Sequence, residues 1–126
     1  MTKTILLADD ERHIRSLVKT TLIDPRFRIV EAVDGGEALE RAREHAPDLL
    51  IIDLMMPKIS GVELARLVRL DPAMATTPII MLTAVASEDG GNAARAAGIS
   101  AYLVKPFSPL ELLERVESLL GLDYVV

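Results

Sequence analysis

Three features of the sequence predict an α/β fold, an open, doubly wound sheet of five parallel strands alternating with helices in (βα)5 order. Five short apolar runs recur at similar intervals, at residues 5–8, 27–32, 49–52, 79–82 and 102–104. Their near-continuous Leu, Ile and Val content suits strands covered on both faces, as in a parallel sheet. Amphipathic stretches separate the runs, and right-handed crossovers then place helices on both sides of the sheet.

Each element has its own signal. The first run ends in Asp9-Asp10-Glu11 and leads into Ile14, Leu17, Val18 and Leu22, spaced i, i+3, i+4 and i+8, with Arg12, Arg15 and Lys19 off that stripe. This spacing predicts a helix with one face on the sheet. Pro25 precedes the second strand. Residues 37–45 are helical by composition, with Ala38, Leu39 and Ala42 inward, and Pro47 stops that helix before the third strand. Residues 62–70 follow as the third helix, with Leu64, Leu67 and Val68 inward, and Pro78 introduces the fourth strand. By position, residues 87–97 supply the fourth helix. Gly90-Gly91 costs that helix about 1 kcal/mol per glycine relative to alanine, which predicts a frayed first half and regular helix only from Asn92. Gly98 fits its C-terminal cap. After the fifth strand, Ser108 and Pro109 supply an N-cap and a first-turn proline, and Glu111 completes a capping box. Leu110, Leu113, Val116 and Leu120 mark the apolar stripe of the last helix, which Gly121 ends.

A chain of 126 residues and 13.7 kDa predicts a single domain over 1–126, with no room for an output domain. Hydrophobic residues make up 50% and charged residues 26%, a globular balance. Two Phe and two Tyr are too few to stack a single-stranded nucleic acid. A net charge of −5 opposes binding to nucleic acid or an anionic membrane, so neither is expected as a direct partner. The absence of cysteine excludes disulfides, thiolate zinc sites and cysteine catalysis. The apolar start is too short for a signal peptide or a membrane span, and a cytoplasmic location is expected.

In open α/β sheets, sites form beyond the carboxyl ends of the strands. Here the first strand ends in Asp9-Asp10, the third in Asp53, the fourth in Thr83 and the fifth in Lys105-Pro106. Singly, each has an ordinary reading: Asp10 as a helix cap, Thr83 as a β-branched strand residue, Lys105 as a solvated charge. Together they form a cluster of repelling carboxylates that needs a cation or a proton. Oxygen donors without His or Cys select Mg²⁺, or a similar hard ion such as Mn²⁺, over zinc.

The segments I-L-L-A-D-D-E at 5–11, L-L-I-I-D-L-M-M-P at 49–57 with Gly61, P-I-I-M-L-T-A at 78–84 and A-G-I-S-A-Y-L-V-K-P-F at 97–107 resemble the receiver domain of two-component response regulators, of the chemotaxis-regulator type. The resemblance spans essentially the whole chain. It implies a flavodoxin-like sheet of order 2-1-3-4-5, with Asp53 accepting a phosphoryl group from a sensor histidine kinase or a phosphotransfer protein. Mg²⁺ would be held by Asp9, Asp10, the Asp53 carboxylate and the Met55 backbone carbonyl. Lys105 and Thr83 would stabilise the transferred oxygens, Thr83 and Tyr102 would form the switch, and Lys105-Pro106 would be a cis peptide. Such a domain is a signalling module rather than an enzyme, catalyses its own phosphorylation and controls a downstream protein or output domain.

Departures from the family pattern sharpen this reading. Met55 and Val85 occupy two positions that tune hydrolysis in such domains, and neither can orient a water, which implies slow dephosphorylation. Ser100-Ala101 stands where many relatives carry two acids, so Arg115 lacks its usual partner and a monomer or weak dimer is expected. A phosphatase of the haloacid dehalogenase class needs a second Asp where Met55 stands. A flavin-binding protein needs a Ser/Thr/Gly phosphate loop where Asp9-Asp10-Glu11 stands. The alternative that stays open is a degenerate receiver, a binding module independent of phosphorylation.

Overall fold

The strands form where the apolar runs predict them. The computed structural model of the chain describes residues 2–84 and 98–122. Its strands are β1 (Lys3–Ala8), β2 (Phe27–Ala32), β3 (Leu49–Asp53), β4 (Ile79–Thr83) and β5 (Ala101–Val104). Among the described residues four α-helices accompany them, α1 (Arg12–Thr21), α2 (Gly35–His45), α3 (Gly61–Leu70) and α4 (Pro109–Leu119), with a 3-10 turn at Pro72–Met74. The sheet is parallel throughout, in the order β2-β1-β3-β4-β5.

Alternation along the strands divides the interior into two layers. Ile5, Leu7, Leu49, Ile51, Ile80 and Leu82 meet Ile14 and Val18 of α1 and Leu112 and Val116 of α4. Leu6, Ala8, Leu50, Ile52, Ile79 and Met81 meet Ala38 and Ala42 of α2 and Leu64, Ala65 and Val68 of α3. Both faces are covered, which is why the strands read as unbroken apolar runs. Each fully buried Leu or Ile contributes about 1.5–3 kcal/mol of hydrophobic stabilisation before the entropy of ordering is counted.

Helix ends follow local chemistry. Asp34, Ser60 and Ser108 accept hydrogen bonds from the N–H groups of Glu37, Glu63 and Glu111. Gly121, at φ 68°, ends α4 in a Schellman motif, with Gly121 N–H donating to the Ser118 carbonyl and Leu122 N–H to that of Glu117. The Leu110 expectation fails: this residue is exposed, and α4 buries Leu112 together with the expected Val116. Leu110 lies about a third of a turn from the centre of the face formed by those two with Leu113, Leu119 and Leu120. In α3, Ala65 is fully buried and Leu67 only half-buried, because the small side chain lets the helix approach the sheet. The helix expected over 87–97, with its frayed half, lies outside the described residues.

Two glycines set how closely the loop after β3 packs. A Cβ on Gly61 would stand 2.4 Å from the Asp53 carbonyl oxygen, and one on Gly35 would stand 2.2 Å from that of Ile59. Neither backbone oxygen can yield as a flexible side chain would. Gly61→Ala is therefore expected to lower stability by about 1–3 kcal/mol in urea denaturation, with little change in helix content. A wild-type midpoint would contradict this close packing.

Candidate functional site

Register brings the polar strand ends together. Ala8 pairs with Ile52, so Asp9, the next residue, stands level with Asp53 at the end of β3. Asp53 pairs with Leu82 and Thr83 with Val104, so Thr83 and Lys105 each project one step further along the carboxyl edge. By alternation, Asp9, Asp53 and Lys105 share the α1/α4 side of the sheet. Thr83 and Tyr102 share the α2/α3 side, where Tyr102 packs half-buried against the core.

Lys105 places its ammonium among the carboxylates of this edge. Its Nζ lies 3.1 Å from Asp9 Oδ2, 3.2 Å from Glu11 Oε1 and 3.3 Å from Asp53 Oδ1. Burial pulls its pKa down, but the hydrogen bonds and charges of Asp9, Asp53 and Glu11 outweigh burial and leave it raised. Asp9 is wholly buried and its pKa is raised, by burial above all, against a lowering bond from the Glu11 N–H. Asp53 is pushed up to about 6 by burial and then by the neighbouring Asp9 charge, with Lys105 opposing. At neutral pH it is therefore still ionised and able to act as a nucleophile.

The donor set fits a hard divalent cation. Asp9, Asp10, Glu11 and Asp53 each offer a carboxylate oxygen, all within 4.8 Å of one another. Although Lys105 sits 3.1 Å away, Asp9 Oδ2 is buried without an aligned hydrogen-bond partner. An orphaned carboxylate oxygen inside an all-oxygen cluster suits Mg²⁺ or a similar ion. The ordinary reading of Asp10 as a cap does not hold, because Glu11 is the N-cap residue of α1 and no side chain caps that helix.

The surrounding loops hold the edge in place. The Leu54 N–H donates to the Leu82 carbonyl and the Gly61 N–H to the Leu54 carbonyl, fixing the turn that carries Met55. Lys58, at φ 70°, pairs with Asp34 at the start of α2 at 3.4 Å. Met55 is 75% exposed beside the site, while Val85 lies outside the described residues. The Lys105–Pro106 peptide is cis, and the Lys105 N–H donates to the Thr83 carbonyl at 2.7 Å. Ser100 serves the sheet, its Oγ accepting from the Ile79 N–H at 3.1 Å. Sequence reasoning had no role for Glu11, whose only signal was its place directly after Asp9-Asp10.

Residues 5–117 match the family described as response regulator receiver domain. The chain is 44% identical over 116 residues, 92% of its length, to the transcriptional regulatory protein ResD of Bacillus subtilis, of which it covers 47%. It spans about half the length of the curated relatives it matches. Among solved structures it is similar to a putative response regulator from Chloroflexus aurantiacus, at 36% identity and a TM-score of 0.90, over 96% of this chain and 99% of that one. It is also similar to the receiver domain of sensor histidine kinase PA1611 from Pseudomonas aeruginosa, at 27% identity and a TM-score of 0.87, over 96% and 99% of the two chains. That structure has a magnesium ion coordinated in the active site cleft.

The raised Asp53 pKa has a consequence for stability. The native chain holds this proton up to about pH 6 and an unfolded chain only to about 3.8, so between these values the native state binds more protons. The contribution of Asp53 to stability therefore falls as pH rises through that window. Without divalent metal, Asp53→Asn is expected to stabilise the fold by roughly 1–3 kcal/mol at pH 8, a gain that fades toward pH 4. Urea denaturation at the two pH values reads it, and an Asn variant less stable than wild type at pH 8 would refute it.

Proposed function

Because the chain belongs to the response regulator receiver domain family, we propose that Asp53 is its phosphoacceptor, drawing a phosphoryl group from a phosphohistidine on a sensor histidine kinase or a phosphotransfer protein. The observation that carries this reading is a buried carboxylate at the end of β3, 4% exposed, facing the Lys105 ammonium at 3.3 Å inside an all-oxygen cluster. An Asp53 carboxylate oxygen attacks phosphorus, the bond from phosphorus to the histidine nitrogen breaks, and the departing imidazole keeps that electron pair and takes a proton. Such a transfer is chiefly a matter of positioning and of neutralising charge.

Asp9, Asp10, the Asp53 carboxylate and the Met55 backbone carbonyl would hold Mg²⁺, with Mn²⁺ as a substitute. The ion, when bound, supplies the positive charge that offsets the clustered carboxylates and the transferred oxygens. Lys105, 3.3 Å from Asp53 Oδ1, would donate hydrogen bonds to the transferred group. Thr83 offers a hydroxyl to a phosphoryl oxygen, and Tyr102, on the same side of the sheet, responds to its movement. Phosphorylation adds about −1.5 to −2 charge and three acceptor oxygens, enough to bias an equilibrium between two arrangements of the β4–β5 end. The resulting surface is read by a downstream protein or output domain.

Incubation with a small phosphodonor and Mg²⁺ is expected to label wild type once. Chelation with EDTA and Asp53→Asn should each abolish labelling, and Lys105→Ala should slow it about a hundredfold. Label persisting in the Asn variant would assign another acceptor. No Mg²⁺-dependent labelling of wild type would favour a binding module independent of phosphorylation.

A further inference from the structure

Lys105 is held by more carboxylate than phosphoryl transfer uses. An ammonium has three protons, and three carboxylates lie around this one, Asp9 at 3.1 Å, Glu11 at 3.2 Å and Asp53 at 3.3 Å. Glu11 accepts a hydrogen bond at that distance. It differs from the other two in exposure: its side chain is 45% exposed, whereas those of Asp9 and Asp53 are 0% and 6%. Glu11 therefore grips Lys105 from the solvent side. It is fixed there from both ends, since its N–H donates to Asp9 Oδ1 at 2.8 Å and His13 Nε2 lies 3.3 Å from its Oε2.

We propose that Glu11 is a positioning residue that holds the Lys105 ammonium in the unphosphorylated chain and must release it when a phosphoryl group arrives at Asp53. The inference rests on Asp53 being the phosphoacceptor. The Glu11 carboxylate, which accepts a hydrogen bond from the ammonium, competes with a phosphoryl oxygen on Asp53 for the Lys105 protons. Asp9 is buried and fixed at its strand end, and Asp53 carries the phosphoryl group itself, so of the three carboxylates Glu11 is the one placed to withdraw into water. The Glu11 carboxylate returns to water at little cost, because it is already half in it. A contact made only in the unphosphorylated arrangement shifts the equilibrium toward that arrangement and weakens the hold on the phosphoryl group.

The test is titration of wild type, Glu11→Gln and Glu11→Asp with beryllofluoride at saturating Mg²⁺, followed by NMR on the full chain. Glu11→Asp keeps the charge but is one methylene too short for the 3.2 Å contact. Both variants are expected to bind the phosphoryl mimic about two- to fivefold more tightly than wild type, as for loss of a partly exposed ion pair. Without metal or mimic, both should also speed solvent exchange of the Lys105 ammonium protons. Wild-type affinity in Glu11→Asp would overturn the inference by showing that only charge matters, and unchanged ammonium exchange would overturn it independently. A wild-type chain that binds no beryllofluoride overturns the Asp53 reading itself and the release step with it, whereas wild-type binding with unaltered variants overturns the role of Glu11 alone.

Discussion

The Lys105 ammonium among the carboxylates of the sheet's carboxyl edge is the contact on which the rest of the site depends. A buried carboxylate without a partner costs several kcal/mol, and Asp9 and Asp53 are both buried. Lys105 lies within 3.3 Å of each and offsets part of that cost. It cannot offset all of it, because three carboxylates face one ammonium. The remainder appears as an orphaned Asp9 Oδ2 and as an Asp53 pKa pushed up to about 6. One imbalance thus accounts for the raised Asp53 pKa and for the fitness of the cluster to take a divalent cation.

Sheet geometry divides the polar strand ends between two sides. Alternation puts Asp9, Asp53 and Lys105 toward α1 and α4, and Thr83 and Tyr102 toward α2 and α3. The Thr83 carbonyl accepts from the Lys105 N–H at 2.7 Å, so the two sides of this edge meet at one backbone bond. The fixed walls are equally specific. Gly61 presses the α3 start against the Asp53 carbonyl, and Asp34 ties the α2 start to Lys58 in the loop that carries Met55.

Arg69 shows how far side-chain roles can depart from their sequence appearance. On α3 it reads as a solvated charge, yet its guanidinium donates to the carbonyls of Met74, Thr77 and Gly98 at 3.0, 2.6 and 2.7 Å. Burial among these carbonyls lowers its pKa. Arg26 is similar, joining Asp24 beside it to Glu117 on α4 at 3.0 Å each. Ser100, which reads as a missing acid, instead satisfies the first N–H of β4. The distant partners among these, Gly98, Glu117 and Ile79, cannot be read from the chain.

Local signals by themselves determined the fold class, the strand positions, the caps at Ser108 and Gly121 and the list of strand-end residues. They could do so because burial on both faces demands unbroken apolar runs, and because caps and turns are governed by residues a few positions apart. The apolar stripe of α4 was legible only in part, since Leu110 is apolar yet lies off the face that the sheet covers. The tertiary structure alone decided the distances around Lys105, the orphaned oxygen of Asp9, the capless start of α1 and the place of Glu11. These depend on strand register and burial, which set how near charges from distant segments stand and how little water screens them.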